Sequence, residues 1–89
     1  MRPEMELGRI VRAHAGRDKG KYFAVVEIVD DNFVRIADGV SRRLASPKLK
    51  KVKHLEAMPQ MVDGIADKLR DNQKVFDAEL RKAIKNCAE

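Results

Sequence analysis

Eighty-nine residues leave room for one small domain, or a small domain plus a helix, and a chain of this size buries only about 60–65% of the surface its unfolded form exposes. With three Phe, one Tyr and no Trp, aliphatic side chains must do most of the packing. The single cysteine, Cys87, excludes an intrachain disulfide framework and fits a reducing compartment.

No apolar run approaches the ~20 residues that span a bilayer, and the start, Met1-Arg2-Pro3-Glu4-Met5-Glu6, lacks the apolar stretch of a signal peptide. The expectation is a soluble, cytoplasmic protein with no membrane partner. The formal charge of +5 is unevenly placed: residues 1–58 hold 13 Lys and Arg against 8 Asp and Glu, and residues 59–89 hold 6 against 6. Such asymmetry points to a polyanionic partner for the first part, with ordinary solubility charge as the competing explanation.

In chain order, Ile10 and Val11 sit among basic and small residues and give a weak strand signal. Two glycines four apart, Gly16 and Gly20, with charged residues between them mark residues 15–21 as a loop. Residues 22–29 are β-branched and aromatic and almost continuously apolar, the pattern of a strand buried in a small barrel. Asp30-Asp31-Asn32 is a turn. Residues 33–37 form the next strand, with Phe33 and Arg35 on one face and Val34 and Ile36 on the other, and Asp38-Gly39 closes it tightly. Residues 40–53 carry six basic residues and no acid, with Leu44, Leu49 and Val52 as anchors to a core; residues 51–55 alternate like a last, half-exposed strand. Pro59 marks a boundary. Beyond it Val62, Ile65, Leu69, Phe76, Leu80 and Ile84 fall at helical spacing, with Asp63, Asp67 and Asp71 early and Arg81, Lys82 and Lys85 late, as the helix dipole favours. Gly64 and Asn72 allow a break into two pieces. The predicted fold class is mainly β: a small barrel over residues 1–58 and a C-terminal α-helical extension over 59–89.

The chemistry-bearing unit is strand, Gly-rich basic loop, strand. Arg12, His14, Arg17, Lys19 and Lys21 surround Gly16 and Gly20. Glycine permits positive φ and close backbone approach, so exposed amides there can meet phosphate oxygens while Lys and Arg supply charge and donors. Pattern alone balances this against a solvated hairpin loop. A second candidate surface spans residues 42–54, where Arg42, Arg43, Lys48, Lys50, Lys51 and Lys53 have no acid to balance them. Several phosphates neutralised there would make affinity fall steeply with salt. Nothing in the sequence says whether the two basic segments meet. Phe23 and Phe33 are expected in the core, which leaves Tyr22 as the open candidate for stacking and favours a phosphate-led grip on a folded polyanion.

These residues also carry a resemblance. Residues 7–11 followed by 15–26 resemble the KOW motif, with Gly16 as its key glycine. The continuation Val34-Arg35-Ile36-Ala37-Asp38-Gly39 resembles the KOW-bearing large-subunit ribosomal proteins of archaea and eukaryotes. The whole chain, including Pro47-Lys48, Lys53-His54-Leu55 and residues 77–83, looks like a family of short bacterial KOW-domain RNA-binding proteins related to them. The resemblance implies an SH3-like barrel, no catalytic activity, and binding to ribosomal or other structured RNA, with Gly16, Arg17, Lys19 and Lys21 on or near the RNA-facing loop. Ribosomal proteins are further expected partners. It says little about the C-terminal helix, whose apolar stripe either covers the barrel or, in an adaptor of the translation or transcription machinery, seats in a partner's groove.

Other constellations fall short. His14, His54 and Cys87 do not make a structural zinc set. Asp30-Asp31 before Asn reads as a turn rather than a carboxylate pair. Residues 16–21 end in Gly-Lys but lack the P-loop spacing and the following Ser or Thr. The sequence thus predicts no catalytic residue, metal site or cofactor.

Overall fold

The computed structural model describes residues 5–62 and 64–88; Asp63 of the acidic helix start and residues 1–4 of the N-terminus lie outside them. Five strands, β1 (Arg9–Ala13), β2 (Tyr22–Ile28), β3 (Phe33–Ala37), β4 (Lys48–Lys51) and β5 (Leu55–Met61), precede two helices, α1 (Ile65–Arg70) and α2 (Asp77–Ala88). The strands form one antiparallel sheet in the order β4-β3-β2-β1-β5. The expected class is therefore the one adopted, a small SH3-like barrel with a C-terminal helical part.

The near-continuous apolar run of β2 has a physical reason: both of its faces are covered. Phe23 and Val25 point into the barrel with Val11, Ala13, Val34, Ile36, Val52 and Leu55. Tyr22, Ala24 and Val26 point outward into a second apolar layer with Ile10, Ala37, Val62, Ile65 and Leu80. Strand alternation delivers successive side chains to the two layers. A register shift between Val25 and Glu27 bends β2, which lets the sheet curl on itself.

The helices fold back as the outer layer's lid. Leu80 and Ile65 are fully buried, and Leu69, Val75, Ala83, Ile84 and Cys87 pack against the same cluster. The chain does break in two: Asn72 takes a left-handed φ of 56° between α1 and α2. Glu79 spans the break, accepting from Lys68 Nζ at 2.9 Å and from the Phe76 amide at 3.1 Å, half of a capping box. The Lys68 hydrogen bond, then the Phe76 amide, hold its carboxyl below the usual range. Asp77 Oδ1 accepts the Leu44 amide at 2.8 Å. Gly39, at φ 80°, lies so close under α2 that an added Cβ would overlap the Asp77 carbonyl.

Five expectations need correction. Phe33, expected in the core, is half-buried and belongs to neither apolar cluster, while Tyr22, left open for stacking, packs into the outer one. The last strand is not 51–55: β4 ends at Lys51, Val52–His54 form one 3-10 turn, and β5 starts at Leu55. Pro59 is not a boundary but lies inside β5. It fits because β5 is an edge strand and its pairing jumps from Val11–Ala57 to Arg9–Met61, leaving a bulge where no ladder N–H is lost. Arg9 Nη1 donates to the Met58 and Pro59 carbonyls at 3.3 and 3.2 Å and ties that bulge down. Leu49 is no anchor: it is exposed, because the register places Lys50 opposite inward-facing Val34 and Leu49 opposite Arg35. Phe76 leaves the helical stripe because the break shifts its phase; it is exposed beneath Lys74 Nζ at 5.2 Å, and Val75 packs in its stead.

Candidate nucleic-acid interface

The loop between β1 and β2 is held by its own backbone. Ala13 N donates to Lys21 O at 3.0 Å, Gly20 N to Ala13 O at 2.7 Å, Lys21 N to Asp18 O at 2.9 Å and Lys19 N to Gly16 O at 3.3 Å. Gly16 and Gly20 take φ of 85° and 89°, where L side chains are strained. The loop's shape is therefore set before any partner arrives.

Its one acid organises what surrounds it. Asp18 is 5% exposed, and its carboxylate draws in Arg42 Nη2 at 3.5 Å, Lys48 Nζ at 4.0 Å and Lys21 Nζ at 4.0 Å. These distances are long for hydrogen bonds, so the attraction is mainly Coulombic. Lys50, buried, reaches the same loop from the other side and donates to the Ala15 carbonyl at 3.3 Å, its Nζ lying 3.1 Å from where a Cβ on Gly16 would be. The His14 amide donates to the His54 carbonyl at 3.0 Å. The two basic segments, separated by two strands in sequence, form one end of the barrel.

Each predicted residue has a place there. Arg17, Lys19, Arg43, Lys51 and Lys53 are exposed and make no ion pair among the described residues. Lys21 is exposed and leans on Asp18. Arg42 and Lys48 are partly buried against that carboxylate. Arg12 is exposed but paired with Glu56 at 3.5 Å. His14 is exposed, Gly16 turns the loop, and Lys50 alone points inward. The Arg42 segment is itself anchored by Asp38, whose carboxylate accepts the Val40 and Arg42 amides and the Ser41 hydroxyl. Partial burial opposes ionisation of Asp38, but the Arg42, Val40 and Ser41 hydrogen bonds more than offset it and hold the carboxyl below its ordinary value.

The local field is visible on His54. Packing, then the positive charges of Lys53, Lys50, Lys51 and His14, hold its imidazole below the ordinary value of 6.5. Sequence reasoning missed the role of Asp18, although a signal existed: it is the only acid between Glu6 and Glu27. It also missed the inward turn of Lys50, which depends on the β3–β4 register and leaves no trace in composition.

No protein-family model matches the chain. Archaeal relatives do. The large ribosomal subunit protein eL14 of Staphylothermus marinus is 35% identical over 96% of this chain and 81% of its own length. That of Hyperthermus butylicus is 33% identical over 96% and 80%, and that of Saccharolobus islandicus 34% over 96% and 81%. They uphold the relation to KOW-bearing large-subunit ribosomal proteins that residues 34–39 carry. At this identity and coverage, the chain belongs to the eL14 family of large ribosomal subunit proteins.

Proposed function

We propose that this chain is a non-catalytic RNA-binding component of the large ribosomal subunit, gripping folded ribosomal RNA by its phosphates through the basic end of the barrel. The observation that carries the reading is Asp18. One buried carboxylate gathers Lys21, Arg42 and Lys48 from both basic segments, beside the exposed Arg17, Lys19 and Arg43; Lys51 and Lys53 follow at the end of β4 and in the turn after it, where their charge bears on His54. Arginine can grip a phosphate with two donors, and lysine adds point charge. Family membership supports ribosomal RNA as the polyanion and the cytoplasmic ribosome as the place, with ribosomal proteins as neighbours. The adaptor alternative loses its main support, because the apolar faces of α1 and α2 already cover the barrel.

The test is a salt titration. Arg17, Lys19 and Lys21 are changed together to Ala, and binding to a structured ribosomal RNA fragment is measured by filter retention at several salt concentrations. Affinity should fall, and the slope of log K against log salt should flatten by roughly 0.7–0.9 for each phosphate that is no longer neutralised. Unchanged affinity and slope would remove the loop from the interface.

A further inference from the structure

A small pocket lies between the β2–β3 turn and the segment that follows β4, lined by Asp31, Asn32 and Phe33 on one side and Lys51, Val52 and Lys53 on the other, with a volume of about 310 Å³. Phe33 is half-buried, yet it belongs to neither apolar core. Its position in β3 turns it to the outer face of the sheet, beyond the reach of the helices that cover Ala37 at the other end of the strand. The walls are fixed. Asp30 Oδ1 accepts the Asn32 and Phe33 amides at 2.8 and 2.9 Å. Val52 N donates to Asn32 O at 2.8 Å, and Phe33 pairs with Lys51 across the β3–β4 ladder. Val52 itself is rooted in the barrel core.

The geometry points to this pocket as the seat of one unpaired nucleobase, stacked on Phe33, from the RNA that binds the basic end. The inference rests on the RNA-binding reading above and adds a base contact to it. A cavity of about 150 Å³ takes a single benzene ring, so this one has room for a purine. A bare phosphate is a poorer occupant, because the Asp31 carboxylate lines the wall. A neutral ring with N–H donors on its edge suits that carboxylate and the Asn32 amide. Lys51 and Lys53 lie where the sugar-phosphate chain on either side of the base must pass, and they are also two of the charges that bear on His54. Bases free to be splayed out and stacked on aromatic rings occur in loops and bulges of folded RNA.

The full chain is titrated with two probes: a short single-stranded RNA containing 2-aminopurine between uridines, and a fully paired RNA hairpin. In the wild type, the single strand should bind with quenching of the 2-aminopurine fluorescence, as stacking requires. Phe33→Leu, which keeps apolar bulk at the site, should weaken single-strand binding roughly ten-fold and abolish the quenching while leaving the hairpin's affinity unchanged. If Phe33→Leu keeps both quenching and single-strand affinity while the hairpin still binds, the pocket assignment is overturned and the RNA-binding reading stands. If the wild type binds neither probe, both fall. Should the variant fail to fold, the ring protons of Phe33 are followed by NMR in the wild type: upfield shifts on adding the single strand support the pocket, and unmoved resonances overturn it.

Discussion

The helix-covered face of the sheet and the basic end of the barrel solve the same problem by opposite means. Each joins segments far apart in sequence. Under the helices, Ile10, Ala24, Ala37, Val62, Ile65 and Leu80 do so by excluding water. At the basic end a single carboxylate, Asp18, joins the loop to Arg42 and Lys48 through charge. Burial is strong and tolerant of detail. A charge cluster is weaker, screened by salt and dependent on one residue. The stable layer therefore carries the fold, and the end that must respond to a polyanion is held together by the force a polyanion changes most.

The comparison is tested hardest by removing one side chain from each apolar layer. Phe23 anchors the barrel interior and Leu80 the layer beneath α2, and both are fully buried. Phe23→Ala should cost about 3–5 kcal/mol and Leu80→Ala about 2–5 kcal/mol in urea unfolding. Both should give one cooperative transition, because β2 contributes side chains to both layers. A Leu80→Ala protein that melts in two steps, with the barrel's midpoint unmoved, would show the helices to be a separate appendage and reduce the outer layer to decoration.

Asp18→Asn probes the other side. Its partners are about a third exposed or more, so water screens much of the loss, and the cost in stability should be about 1–2 kcal/mol. The sharper readout is RNA affinity. Removing an acid raises the net charge by one, so simple attraction predicts tighter binding. If Asp18 instead holds the two basic segments in one arrangement, binding weakens despite the added charge. Affinity that rises in a filter assay at fixed salt would reduce Asp18 to a local counterion.

What the sequence shows and what it hides follow from the same contrast. The barrel was legible because strand alternation and turn residues are local: residues 22–29, the Asp30 turn and the Gly16–Gly20 spacing each report on their own neighbourhood. The helical break at Asn72 was legible for the same reason. The register was not. Whether Leu49 or Lys50 points inward is decided by pairing with Val34 and Arg35, and a Lys-Leu-Lys-Lys run carries no preference strong enough to show it. Pro59 misled because a proline normally ends a strand, while an edge strand with a bulge absorbs it. The candidate residues themselves were legible as a set of cations; that they meet was not, since it depends on a salt cluster closed across three elements.

The smallest effect expected is a proton. In the free protein, packing and the charges of Lys53, Lys50, Lys51 and His14 disfavour the imidazolium of His54 and lower its pKa from 6.5. In the unfolded chain the ordinary value returns, so the unfolded state binds more proton. Stability from this group therefore falls as pH drops through 6.5 toward the folded value, and is unaffected above 6.5. A polyanion reverses the sign of the local field. Phosphates laid against Lys51 and Lys53 neutralise the charges that oppose protonation, so the pKa of His54 should rise on binding and RNA should be taken up together with a fraction of a proton. Affinity then increases as pH falls from the bound-state value toward the free-state value, and flattens below it. NMR titration of the His54 ring, with and without a saturating RNA hairpin, reads both limits. A pKa that stays put would mean that the phosphates settle elsewhere, on the Arg17–Lys21 side of the loop alone, and that charge at the basic end is divided into two separate patches.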